Sequence, residues 1–178
     1  MQANILGNRL GVFVRLAERT SGNLGRTQLM KLCYFLQSLR GVPLGYSFSL
    51  YSYGPFDSEV LSDLQTAEAM NVLTADVQYY PGGYKYDIRA GEKAEKAKAF
   101  AAPFLAKHQK DVDWVAAKFG SWPAADLELV STIAYVYYEE GIEDRDELIE
   151  RVKLVKPHFS HGRIRDQLDW LLDQQLLS

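Results

Sequence analysis

"LYSYGPFDSEVLSDLQTAEAMNVLTADVQYYPGGYKYDI", Leu50 to Ile88, carries the outline of a helix followed by a β-hairpin. Just upstream, Tyr46, Phe48 and Leu50 alternate with Ser47 and Ser49, a period of two that predicts a short extended segment closed by Gly54-Pro55. Asp57 or Ser58 caps the helix that follows, and Val60, Leu64, Ala67 and Met70 predict its inward side. Two Tyr- and Val-rich runs around Pro81-Gly82-Gly83 then predict an antiparallel hairpin. A helix followed by a wing is the outline of a DNA reader, yet this helix carries Glu59, Asp63 and Glu68 and no Lys or Arg. Exposed carboxylates facing phosphate cost energy, so three acids without a base make a poor major-groove reader.

Toward the N-terminus, Leu6, Leu10, Phe13 and Ala17 recur at helical spacing, with "SGN" at 21–23 as the stop. Leu29, Leu32, Cys33, Leu36 and Leu39 repeat the pattern up to Gly41 and Pro43. Residues 3–89 therefore read helix, helix, short strand, helix, hairpin. Beyond them the chain is helical. An Ala- and Lys-rich stretch with a break at Pro103 ends at Gly120 to Pro123. Leu127, Val130, Ile133 and Tyr137 predict the next helix. Asp144 and Glu147 form a capping box before Leu148, Val152 and Val155, and Pro157 closes that helix. Ser160 caps a last helix with Ile164, Leu168, Leu171 and Leu172 inward. The fold class is mainly α with a small β-hairpin: a winged-helix-like unit over 1–90, connecting helices over 91–123 and a three-helix unit over 124–178, packed as one body. A slide of 104 positions lays Val60, Leu64, Val72 and Leu73 over Ile164, Leu168, Leu176 and Leu177, which leaves open a second helix-turn-helix unit.

Charge bounds the partner. The 178 residues carry 20 Lys and Arg against 23 Asp and Glu, a net charge of −3. Residues 1–90 hold 8 basic against 7 acidic side chains and residues 91–178 hold 12 against 16, so neither half is a basic module. Non-specific affinity for nucleic acid comes mainly from neutralised phosphates, and this chain would have to gather its cations on one face to bind DNA. No apolar run approaches the roughly 18 residues of a membrane span, and Asn8, Arg9 and Arg15 interrupt the apolar N-terminus. With one cysteine, the expectation is a cytoplasmic protein without a disulfide.

Candidate chemistry is sparse. Cys33 lies on an apolar stripe, where free cysteine acts as a small hydrophobe. His158 and His161 flank Pro157 without a third ligand nearby in sequence, so no metal site is assigned. Glu139, Glu140 and Glu143 read as a solvated helix end. Nucleotide-binding and nucleophile-elbow motifs do not occur, so the chain reads as non-enzymatic, with no catalytic residue and no cofactor. The informative surface is the wing: Tyr79, Tyr80, Tyr84 and Tyr86 with Lys85 and Arg89 suit stacking on bases or packing on a protein. Alternation turns half of them toward the core.

"GRTQLMKLCYFLQ", "YSYGPFDSEVLSDL", "LELVSTIAYVYYEEG" and "LVKPHFSHGRIRDQLDWLLDQQLL" together resemble the YwgA-like proteins of bacteria and archaea over nearly the full chain. Residues 25–65 also resemble, more distantly, the Panacea domain of toxin-neutralising antitoxins. The resemblance implies a winged-helix-like fold and brings no catalytic residue with it. The leading expectation is an interaction or regulatory protein that binds a protein partner through Glu59, Asp63, Glu68 and the wing tyrosines. The alternative is a DNA-binding regulator using Lys85, Arg89, His161, Arg163 and Arg165. Homo-oligomerisation stays open.

Overall fold

The computed structural model describes residues 2–22 and 24–178. The helix predicted first is α1 (Gln2–Thr20), and Ser21 and Gly22 follow it at φ 44° and 82°; Asn23, the third residue of the predicted stop, lies outside the described residues. Then come α2 (Arg26–Arg40), β1 (Ser49–Tyr51), β2 (Gly54–Phe56), α3 (Ser58–Ala69), β3 (Leu73–Tyr80) and β4 (Gly83–Ala90). The rest is helical: α4 (Ala94–Phe100), α5 (Ala102–Phe119), α6 (Ala124–Tyr138), α7 (Arg145–Val155) and α8 (His161–Asp173). The described residues are thus mainly α, with two separate two-stranded antiparallel sheets, β1–β2 and β3–β4.

One expectation needs correction at once. Gly54-Pro55 does not close the extended segment but begins its return strand, pairing Leu50 with Pro55 and Tyr51 with Gly54. The chain divides into two compact units, Met1–Ser47 with Asp57–Trp122 and Phe48–Phe56 with Pro123–Ser178. The helices over 94–119 therefore belong to the first unit, and the β1–β2 hairpin to the second.

In the first unit α1 packs against α3, α4, α5 and β4. Contact on so many sides explains why Val12, Val14 and Leu16 are buried together with the predicted Leu10, Phe13 and Ala17. Gly7 and Gly11, four residues apart, set its closeness to α4. A Cβ at Gly11 would stand 2.4 Å from the Ala101 Cβ, and one at Gly7 would stand 2.1 Å from the Phe100 ring. Phe35 of α2 stacks on Phe119 of α5 at 4.2 Å, inside a core where each fully buried large apolar side chain contributes about 1.5–3 kcal/mol. Cys33, 0 % exposed, is part of that core. Asp57 caps α3 by accepting from the Glu59 N–H at 2.9 Å, while Met70, predicted inward, is 50 % exposed where the helix ends.

In the second unit α6, α7 and α8 pack mutually and β2 lies on α6. Asp144 and Ser160 cap α7 and α8 as the sequence predicts, accepting from Glu147 N–H and Arg163 N–H. Leu172, predicted inward, is half exposed, and the inward face of α8 is Ile164, Leu168 and Leu171. Gly54, at φ +95°, lets β2 approach α6 so closely that a Cβ would stand 3.2 Å from both the Ser131 and Thr132 hydroxyls. Lys156, 1 % exposed, reaches back from the end of α7 to this hairpin. Its ammonium donates to the Tyr51 carbonyl at 3.0 Å and to that of Ser52, and lies 3.1 Å from Glu128 Oε1, an ion-pair distance without hydrogen-bond alignment.

The two helices aligned by the 104-residue slide end alike. Asn71 and Gln175 both take φ 57°, and the bonds from Asn71 N–H to Glu68 and Val72 N–H to Ala67 are repeated from Gln175 to Leu172 and Leu176 to Leu171. This is a Schellman cap, one of the left-handed endings that together close a third to a half of all helices, so the likeness is that of a common motif. Among the described residues no helix is long and apolar enough to cross a membrane.

Candidate functional site

β3 and β4 form a ribbon eight residues long on each strand. Its turn is Pro81-Gly82, with Gly82 at φ +100° and Tyr80 paired with Gly83. Proline then glycine is the signature of a type II turn, whose third residue needs positive φ. Antiparallel pairing sorts the side chains into two faces. Ala75 with Ile88, Val77 with Tyr86 and Tyr79 with Tyr84 share one face; Asp76 with Asp87, Gln78 with Lys85 and Tyr80 with Gly83 share the other.

The aromatic face starts in the core and leaves it. Ile88 is 0 % exposed and its N–H donates to the Leu24 carbonyl at 2.8 Å. One pair further out, the Arg26 guanidinium lies 3.8 Å over the Tyr86 ring. Tyr84 follows at 5.9 Å from Tyr86, edge-on, and Tyr79 at 6.3 Å from Tyr84. There the cover ends: Tyr79 is 83 % and Tyr84 57 % exposed, with Val77 and, on the other face, Tyr80 exposed as well. Of the four tyrosines predicted as contacts, Tyr86 alone is partly covered. The polar face is balanced in charge, and Arg89 Nε donates to Asp87 Oδ2 at 2.7 Å, beside Gln78 at 3.0 Å.

Two of the three acids of α3, Glu59 and Asp63, turn to an arginine of α1. Arg9 enters from α1, stacks on the Tyr46 ring at 3.9 Å and donates to the Leu44 carbonyl, to Glu59 at 2.9 Å and to Asp63 at 3.1 Å. The Tyr46 hydroxyl donates to the same Asp63 oxygen at 2.7 Å. Burial pushes the Asp63 carboxyl above its ordinary value, against the Tyr46 hydrogen bond and the Arg9 charge, which pull it down. Burial likewise raises the Tyr46 phenol and the Cys33 thiol, so neither ionises at neutral pH. Desolvation opposes the Arg9 charge, but the Glu59 hydrogen bond and the surrounding charges outweigh it and hold the guanidinium above its usual range. Asp63 is therefore withdrawn from any partner surface, Glu59 is engaged while still half exposed, and Glu68 is partly exposed. Sequence reasoning missed Arg9 and Tyr46; the available signal was an arginine set inside an apolar helix.

Of the residues named for nucleic acid, three already face carboxylates within their own units. Arg89 pairs with Asp87, Arg163 with Asp126, and His161 Nε2 lies 3.0 Å from Glu150 Oε1. Lys85 and Arg165 are exposed. His158 lies 3.4 Å from Glu128, and Arg151 grips Glu140 with two hydrogen bonds, holding that carboxyl below its ordinary value. No family model matches the chain, and no curated protein is significantly similar to it.

Proposed function

We propose that the protein is a non-enzymatic interaction protein of winged-helix-like architecture, the kind its YwgA-like resemblance implies, and that it grips a protein partner along the aromatic face of the β3–β4 ribbon. The observation that carries this reading is the strip Tyr86, Tyr84, Tyr79, continuous with the core at one end and uncovered at the other. Rigid tyrosines bring large contact area at low entropic cost and are enriched among binding hot spots. A protein partner is favoured over duplex DNA because Arg89, Arg163 and His161 already face carboxylates, and because two of the α3 acids are spent on Arg9.

A photo-crosslinking residue at position 84, with one at the exposed Tyr53 as control, tests the reading in the native cell. A discrete protein adduct is expected from position 84 alone, and Tyr79→Ser should abolish it with the melting temperature unchanged. Anisotropy with random duplex is expected to give no better than about 10⁻⁴ to 10⁻⁶ M at physiological salt. Sequence-specific binding near 10⁻⁸ M that weakens by about 1–3 kcal/mol in each of Arg163→Ala and Arg165→Ala would replace the protein partner with DNA.

A further inference from the structure

The first unit holds a groove of about 380 Å³ between α1, the end of α3 and α4. Leu6 and Leu10 of α1, Val72 and Phe100 make its apolar walls. Backbone hydrogen bonds fix one side of it: Gly91 N–H donates to the Val72 carbonyl and Lys93 N–H to that of Asn71, each at 2.8 Å. Position 91 must be glycine for this approach, since a Cβ would stand 2.5 Å from the Asn71 oxygen. On the other side the Phe100 ring lies against the bare backbone of Gly7 and is still 61 % exposed. Two cations complete the lining, Lys93 and Lys96, both exposed; among the described residues neither has an ion pair and no acidic side chain lines the groove.

An apolar trough with two ammonium groups at its rim is the complement of one alkyl chain ending in an anion. We propose that this groove binds a medium-chain fatty carboxylate, its chain against Leu6, Leu10 and Val72 and its carboxylate between Lys93 and Lys96. The volume is at the lower end for small-molecule pockets, which suits a single chain and excludes a two-chain lipid. Lysine fits the rim because its stem lies along apolar wall while its charge stays in water. The site owes nothing to the ribbon, so a failure of either proposal leaves the other standing.

Calorimetric titration of the full chain with decanoate and with decan-1-ol tests it. Decanoate is expected to saturate one site below its micelle concentration. Lys93→Glu with Lys96→Glu, both at exposed positions, should weaken decanoate by about tenfold or more and leave decanol nearly unchanged. Ala97→Trp, which fills the trough, should remove both. Absence of saturable binding, or equal decanoate affinity in all three proteins, would overturn the proposal. So would a concentration-dependent dimer in sedimentation that Phe100→Ser dissolves, because the groove would then be the seat of a second copy.

Discussion

Arg9 decides what the acids of α3 can do. Its guanidinium is 5 % exposed, and with it in place Asp63 is a buried, paired carboxylate. Arg9→Met removes the charge and strands that carboxylate, so unfolding in urea should show a loss of about 3–5 kcal/mol. Adding Asp63→Leu to Arg9→Met should recover part of the loss, since an apolar pair avoids the uncompensated charge. A single substitution that costs less than about 1 kcal/mol would show the network to be a bystander. None of this was legible from Asp63 itself. Its partner lies 54 positions away, and a carboxylate at helical spacing looks the same in sequence whether solvent or an arginine faces it.

At the scale of elements, the helices were legible because apolar side chains recur near every 3.6 residues even where, as in α1, further faces are buried too, and the caps at Asp57, Asp144 and Ser160 stand where hydrogen-bonding side chains precede apolar runs. The return strand Gly54–Phe56 was not. Three residues carry too little period, and glycine with proline reads as an end. Gly54→Ala tests why glycine is there: positive φ and contact at 3.2 Å with Ser131 and Thr132 both penalise a methyl, and a destabilisation above about 1 kcal/mol is expected by thermal melting. Gly82→Ala, at φ +100° with open space around it, should cost only the backbone strain, so the difference between the two isolates the crowding at α6. Alternation likewise told which ribbon residues share a face. It could not tell where cover stops, because that depends on how far Ile88 sinks into the core.

For the whole molecule, paired carboxylates tie stability to pH. Each unit has an Arg–carboxylate pair joined by two hydrogen bonds, Arg15 with Asp113 in the first and Arg151 with Glu140 in the second. The arginine hydrogen bonds hold both carboxyls below their ordinary values of 3.8 and 4.5. A depressed folded-state value contributes stability that is present above the ordinary value and is lost as pH falls through the depressed one. Asp113→Asn should therefore show a deficit of about 1 kcal/mol in denaturant unfolding that is constant from pH 7 to about pH 5 and shrinks as pH falls below the ordinary carboxylate range. A deficit that persists at the acid end would mean that packing, not charge, is what Asp113 supplies.

The β1–β2 hairpin has a history as well as a position. It is made early and covered late: the Lys156 ammonium that holds the Tyr51 and Ser52 carbonyls comes 105 and 104 residues after them. At a synthesis rate of about 5–20 residues per second, the hairpin waits roughly 5–20 s on the ribosome before its lysine exists. Through that interval Leu50, Pro55 and Phe56, which the folded chain covers wholly or in part, have no α6 to lie on. Residues 57–122, which belong to the first unit, are made in the meantime. Until the rest of its unit has been made, the hairpin depends on protection while the chain is being born.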